Sequence, residues 1–275
     1  MILIPGWNRM PQAERDAAYN NSAAVEDSPA LNAARISASA AFRASHTGHL
    51  DLAYGESQRE QWDIYPGAYK SAPVLAFIHG GYWQRNRREE FASLAEGALA
   101  MGWSVAMCGY GLGPDVPFAT LCGQIEAAFD WLAAHGEEHG AGGPIIASGW
   151  SAGGHLAALA AERPGVAGAL AISGIYELAP IRDTYLNEKL NLTPSEIATY
   201  SPMRRPVVMK PIAVAYGGTE LPELRRQSRD FHALRAEAQA PGPLIPVPGA
   251  DHFRVLDALS KPGGLLLRAA ADLLL

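Results

Sequence analysis

Ser151 lies in the run Gly149-Trp150-Ser151-Ala152-Gly153, a G-x-S-x-G pattern that places a serine at the apex of a sharp strand-to-helix turn. The glycines have a steric reason to be there, since strand and helix backbones must pass close on either side of such a turn. Taken alone, five residues of this kind arise often by chance, and a plain Gly-rich turn explains them as well as a nucleophile does. A serine hydroxyl also needs a base to take its proton. His252, in Pro248-Gly249-Ala250-Asp251-His252-Phe253, follows the last apolar run of strand type and is the candidate base. A carboxylate should orient that imidazole. Glu220, a few residues past Pro211-Ile212-Ala213-Val214-Ala215-Tyr216, is the first choice, with Glu223 as its nearest rival. Asp251 is adjacent to His252 in sequence, which makes pairing with its ring awkward. Attack on an acyl carbon puts negative charge on the carbonyl oxygen, so preorganised N–H donors are needed. Ala152, directly after the serine, should give one. His79-Gly80-Gly81-Tyr82-Trp83, following Val74-Leu75-Ala76-Phe77-Ile78, is a glycine-bearing loop suited to give others.

The elements that must hold these groups are legible as alternating apolar runs and helix-type segments. Strands are expected at 49–54 and 61–65 as a hairpin, then at 74–78, 103–107, 144–148, 166–173, 211–216 and 244–247. Helices are expected at 9–25, 89–101, 117–134, 152–161 and 223–238, with a packed terminal helix in 265–275. Residues 28–45, rich in small and polar side chains, read as loop or irregular helix. The pattern is lost between Ile175 and Pro206, which reads as a small cap. Strands alternating with helices predict an α/β fold: a mostly parallel sheet with an antiparallel start and helices on both faces. No linker divides the 275 residues, so one domain is expected, with a lid-like segment at about 1–45 and the cap at about 175–206.

Composition removes several function classes. The formal charge is −6 with no cationic tract, which argues against nucleic acid. Arg85, Arg87 and Arg88 read as a solvated helix start. Two cysteines, Cys108 and Cys122, lack metal-site spacing and cannot staple a chain of this length. The start Met1-Ile2-Leu3-Ile4-Pro5-Gly6 lacks the charged and apolar regions of a secretory leader, and no apolar run has membrane-spanning length. A cytoplasmic protein without membrane association is expected. His135 and His139 stand at a helix end without H-E-x-x-H, so no metal is expected. Gly109-Tyr110-Gly111-Leu112-Gly113 lacks dinucleotide spacing, and no cofactor is expected. His155 reads as structural. Tyr82, Trp83 and Trp150 suit an aromatic wall for the substrate and core packing equally. Tyr19 and Asn20 could close over a pocket, although a surface helix is the plainer reading. Oligomeric state is left open.

From about His49 onward the chain resembles the α/β-hydrolase superfamily, near the hormone-sensitive-lipase-like esterases. The order Ser, Glu, His is that superfamily's order. His79-Gly80-Gly81-Tyr82-Trp83 resembles the H-G-G-x-W of kynurenine formamidases (arylformamidases), and Tyr110-Gly111-Leu112-Gly113-Pro114 is similar to the Y-x-L-x-P of that branch. Gly218-Thr219-Glu220, Arg226-Gln227-Ser228, Asp251-His252-Phe253 and Tyr19-Asn20-Asn21 resemble segments of its bacterial members. The chain departs from the pattern in having glutamate where many members have aspartate, and in the glycines at 109, 111 and 113. The resemblance implies a triad of Ser151, Glu220 and His252, with oxyanion donors at Gly81, Tyr82 and Ala152. It also implies a small-molecule acyl substrate such as N-formylkynurenine. A carboxylesterase or amidase would use the same parts. A ligand-binding protein on a hydrolase fold is the rival from another class, and such proteins usually lose a triad member.

Overall fold

The computed structural model describes residues 6–275. The opening five residues, on which the leader reading and the first part of the lid-like segment fall, lie outside the described residues. Eight strands form where the apolar runs predict them: β1 (His49–Ala53), β2 (Gln61–Tyr65), β3 (Val74–Ile78), β4 (Ser104–Cys108), β5 (Ile145–Trp150), β6 (Val166–Ile172), β7 (Ile212–Gly217) and β8 (Leu244–Val247). They make one sheet in the order β1-β2-β4-β3-β5-β6-β7-β8. β1–β2 and β2–β4 are antiparallel and every other pair is parallel, which is the α/β-hydrolase architecture.

Strand side chains alternate between two cores. Val74, Ala76 and Ile78 face one, Leu75 and Phe77 the other, so a strand covered on both sides must be apolar throughout. Helices supply the covers. Before the sheet come α1 (Gln12–Ala17), α2 (Asn21–Ala24) and α3 (Ser28–Ser45); α4 (Ala95–Ala100) precedes β4, α5 (Phe118–His135) follows it, and α6 (Ala152–Ala160) follows β5. Three short helices, α7 (Ala179–Arg182), α8 (Asn187–Leu190) and α9 (Pro194–Tyr200), fill the stretch read as a cap. α10 (Pro222–Glu237) joins β7 to β8, and α11 (Asp257–Ser260) and α12 (Leu265–Asp272) end the chain. α5, α6 and α10 pack on one face, and α3, α4, α11 and α12 on the other. Among the described residues no helix is long and apolar enough to cross a membrane.

Three expectations need correction. Residues 28–45 form an 18-residue helix. Its buried residues are Ser28, Ser39 and Phe42, so no apolar stripe marks it. It is held instead by Ser39 Oγ donating to the Glu90 carbonyl at 3.0 Å and by Arg35 lying 4.0 Å over the Phe91 ring. The helix expected at 9–25 breaks into α1 and α2, because Asn20 turns its side chain back to accept the Ala23 N–H at 3.1 Å. The helix expected at 89–101 opens as a 3-10 segment, Arg88–Leu94, before α4.

Arg88 departs from the solvated reading of the arginine cluster. It is 4% exposed and reaches Asp63 at 3.1 Å, Gln61 at 3.0 Å and Asp51. Asp63, fully buried on β2, also accepts from Arg43 of α3 and from the Asp51 N–H at 2.9 Å. One carboxylate thus ties α3 and the segment after β3 to the antiparallel edge of the sheet. Asp63→Asn, which neutralises the buried carboxylate shared by Arg43 and Arg88, should lower unfolding free energy by about 3–5 kcal/mol in urea titration.

Candidate active site

Ser151 stands between β5 and α6 at φ 59°, ψ −119°, a conformation that non-glycine residues rarely adopt. Its N–H donates to the Ile172 carbonyl at 2.8 Å, which pins the turn to β6. The flanking glycines are required by contact. A Cβ on Gly153 would come within 2.0 Å of the Ile78 carbonyl oxygen, and one on Gly149 within 2.2 Å of the Gly153 oxygen. The first turn of α6 can therefore lie directly against the end of β3.

His252 follows β8 and brings Nε2 to 3.1 Å from Ser151 Oγ. Its loop is fixed by Trp150, whose indole N–H donates to the His252 carbonyl at 2.7 Å. Asp251 turns away from the imidazole and accepts the N–H groups of Phe253 and Arg254, each at 2.8 Å; these bonds and the Arg254 guanidinium hold its carboxyl below the ordinary range despite burial. Glu220, in the turn after β7, lies with Oε1 3.6 Å from His252 Nδ1. That oxygen also accepts from Ser173 Oγ at 2.5 Å and from the Gly217 N–H at 3.0 Å. Glu223 bonds Arg226 at 2.8 Å on α10. Ser151, Glu220 and His252 are all buried.

The loop after β3 carries three successive positive φ values: 115° at Gly81, 52° at Tyr82 and 56° at Trp83. Among the described residues, the N–H groups of Gly81, Tyr82 and Ala152 donate to no acceptor. The loop is held from behind. Tyr110 donates to the His79 carbonyl at 3.0 Å, its ring stacked 4.5 Å from the imidazole, and Asn86 donates to the Gly80 carbonyl at 3.1 Å. Burial pushes His79 down to about 3. A neutral ring with Nδ1 at 2.9 Å from the Gly80 carbonyl must carry its proton on Nδ1.

A narrow cavity of about 70 Å³ opens above Ser151, walled by Asn21, Ser22, Tyr82, Trp150 and His252 among others. Tyr82 and Trp150 belong to this wall. Trp83 does not: it is fully buried, edge-on to Phe118 and His155, so its aromatic surface serves the core. Tyr19 is likewise fully buried rather than on a surface helix. Asn20 spends its side chain on the cap of α2, and the residue that reaches the cavity is its neighbour Asn21. Tyr82 Oη gives its single proton to the Tyr19 carbonyl at 2.6 Å, so it can only accept from Asn21 Nδ2 at 3.0 Å. Gln227 of α10 continues the chain by donating to Tyr19 Oη at 2.9 Å. Asn21, Ser173 and Gln227 escaped assignment from sequence; the likeness at Tyr19-Asn20-Asn21 and Arg226-Gln227-Ser228 was the signal for two of them, and nothing marked Ser173. His155 is structural as expected, bonded to the Tyr200 carbonyl at 2.7 Å and pushed by burial to about 4. Among the described residues no group of three or more His, Cys, Asp or Glu side chains is placed to hold a metal ion.

Comparison with known proteins places the chain in a family. Residues 62–232 match the family model BD-FAE. The chain belongs to the BD-FAE family. It is 30% identical to the kynurenine formamidase of Salmo salar over 227 residues, covering 76% of each protein. It is 29% identical to that of Danio rerio over 235 residues, covering 80% of this chain and 79% of the relative. A solved structure from Silicibacter sp. TM1040, given a provisional thioesterase assignment, superposes with a TM-score of 0.84 at 28% identity, covering 94% of this chain and 99% of that one. These relationships mark this BD-FAE member as a hydrolytic enzyme with an α/β-hydrolase fold.

The two buried histidines make stability pH-dependent. Folded His79 and His155 protonate near 3 and 4, whereas an unfolded imidazole does so near 6.5. Between these limits the unfolded chain binds more protons, so stability is complete above about pH 6.5 and falls as pH drops, by up to about 1.4 kcal/mol per unit for each ring. Urea midpoints should fall from pH 7.5 to pH 5, and fall less in His155→Gln.

Proposed function

We propose that this protein is a serine hydrolase that cleaves a small acyl amide or ester through an acyl-enzyme, acting on an aryl formamide such as N-formylkynurenine. The observation that carries this reading is Ser151 Oγ at 3.1 Å from His252 Nε2, beside three N–H groups with no acceptor among the described residues. Ser151 attacks the acyl carbon while His252 Nε2 takes its proton. Nδ1 then keeps its own proton, facing Glu220, which orients the ring and stabilises the imidazolium. The N–H groups of Ala152, Gly81 and Tyr82 receive the oxyanion. His252 returns the proton to the departing amine or alcohol, and water, activated by the same imidazole, frees the acyl group.

The narrowness of the cavity favours a short acyl group, and Trp150 offers a flat wall for an aryl leaving group. The two formamidase relatives support the formamide. The likeness to a provisional thioesterase and the shared machinery of ester cleavage support a carboxylesterase as the second reading. In either case we read the chain as one catalytic domain, with the segment before β1 as lid and residues 175–206 as cap.

Ser151→Ala should lower kcat by at least about 1,000-fold on every substrate without unfolding the protein. On the unmodified enzyme, kcat/KM for N-formylkynurenine should exceed that for p-nitrophenyl acetate. A formamide efficiency far below the ester's would remove the formamidase reading and leave the esterase.

A further inference from the structure

Glu220 is held by groups other than the imidazole it faces. Its Oε1 takes two donors, Ser173 Oγ at 2.5 Å and the Gly217 N–H at 3.0 Å. That oxygen is still 3.6 Å from His252 Nδ1, longer than a hydrogen bond. Glu220 Oε2 and His252 Nδ1 are both buried and, among the described residues, both without a hydrogen-bond partner. Buried polar groups left unpaired are costly unless they find partners during turnover, and contacts of this kind often tighten only once substrate is bound.

We propose that Ser173 is a positioning residue for the proton relay: its hydroxyl anchors Oε1 of Glu220, so that the carboxylate stays turned toward His252 as the imidazolium forms. The inference rests on the serine-hydrolase reading above. Ser173 is suited to this because its own place is fixed. It directly follows β6, is fully buried, and donates its N–H to the Ala215 carbonyl of β7 at 2.7 Å. Its φ of 51° is a left-handed conformation that turns the chain out of the strand at that point. The hydroxyl is therefore presented from one strand end to the turn that follows the neighbouring strand. Glutamate gives the anchor its purpose. With one more side-chain torsion than aspartate, it has more freedom to lose when its carboxylate is fixed. A single backbone N–H from Gly217 would hold Oε1 at one point and leave the group free to pivot. Oε1 already accepts that N–H, so the Ser173 hydroxyl acts as donor.

A double-mutant cycle with p-nitrophenyl acetate separates this role from simple filling of space. Ser173→Ala and Ser173→Gly, the latter at ease with the positive φ, should each lower kcat about tenfold, the scale of one hydrogen bond to a charged group, with KM within about twofold. In a Glu220→Gln background the same substitutions should change kcat by less than about twofold, because the group through which Ser173 acts is already disabled. Urea midpoints measured in parallel show that each variant is folded. Wild-type kcat in both Ser173 variants, or equal losses with and without Glu220, would overturn the proposal. Full activity in Glu220→Gln would instead overturn the triad, and Ser173's role with it.

Discussion

The site depends on one close crossing. The first turn of α6 lies so near the end of β3 that a single methyl on Gly153 would meet the Ile78 carbonyl at 2.0 Å. That approach sets the distance between Ser151 and the loop that begins at His79, two segments separated in sequence by β4 and α5. β3 and β5 are neighbouring parallel strands, and both the serine and the N–H-bearing loop leave from their carboxyl ends. β6, β7 and β8 continue the parallel run and deliver Ser173, Glu220 and His252 to the same edge in turn. Parallel strand order converts distance in sequence into adjacency in space, as in other open α/β sheets. The strain at Ser151 persists because β6 and α6 hold it from both sides.

The segment before β1 completes the cavity. Tyr19, Asn21 and Tyr82 form a hydrogen-bonded chain from the first helices to the loop after β3, and Gln227 extends it to α10. The same segment is clasped at its flanks. Trp7 donates to Asp183 at 3.0 Å, the Tyr185 N–H donates to Asp16 at 2.8 Å, and Asp27 pairs with Arg254 beside the His252 loop. The roof over Ser151 is thus bonded both to the stretch after β6 and to the loop that carries the histidine.

What could be read in the chain followed from how local each signal is. G-x-S-x-G, H-G-G and the apolar runs are short-range patterns whose physical cause lies within a few residues, and they located Ser151, the loop after β3 and all eight strands. His252 and Glu220 were found by their places after β8 and β7, which needed only strand order. Features settled by remote partners were not legible. α3 shows no apolar stripe because Ser39, Arg35 and Arg43 make its contacts beside a single buried phenylalanine, Phe42. Arg88 looks solvated until Asp51 and Asp63, distant in sequence, come to it. Trp83 and Trp150 have the same chemistry in the sequence, and only packing sends one to the core and the other to the cavity wall. Ser173 is an ordinary serine at a strand end until Glu220 is set opposite it.

Activation of the Ser151 hydroxyl by the fold around it is what the proposed function requires. Incubation of the native protein with a fluorophosphonate, followed by mass spectrometry of the peptide that contains Ser151, tests this directly. Stoichiometric modification of Ser151 is expected, fast in the folded enzyme and lost in urea and in His252→Ala. Absence of an adduct on folded protein, or labelling that is unchanged by urea or by loss of His252, would contradict it.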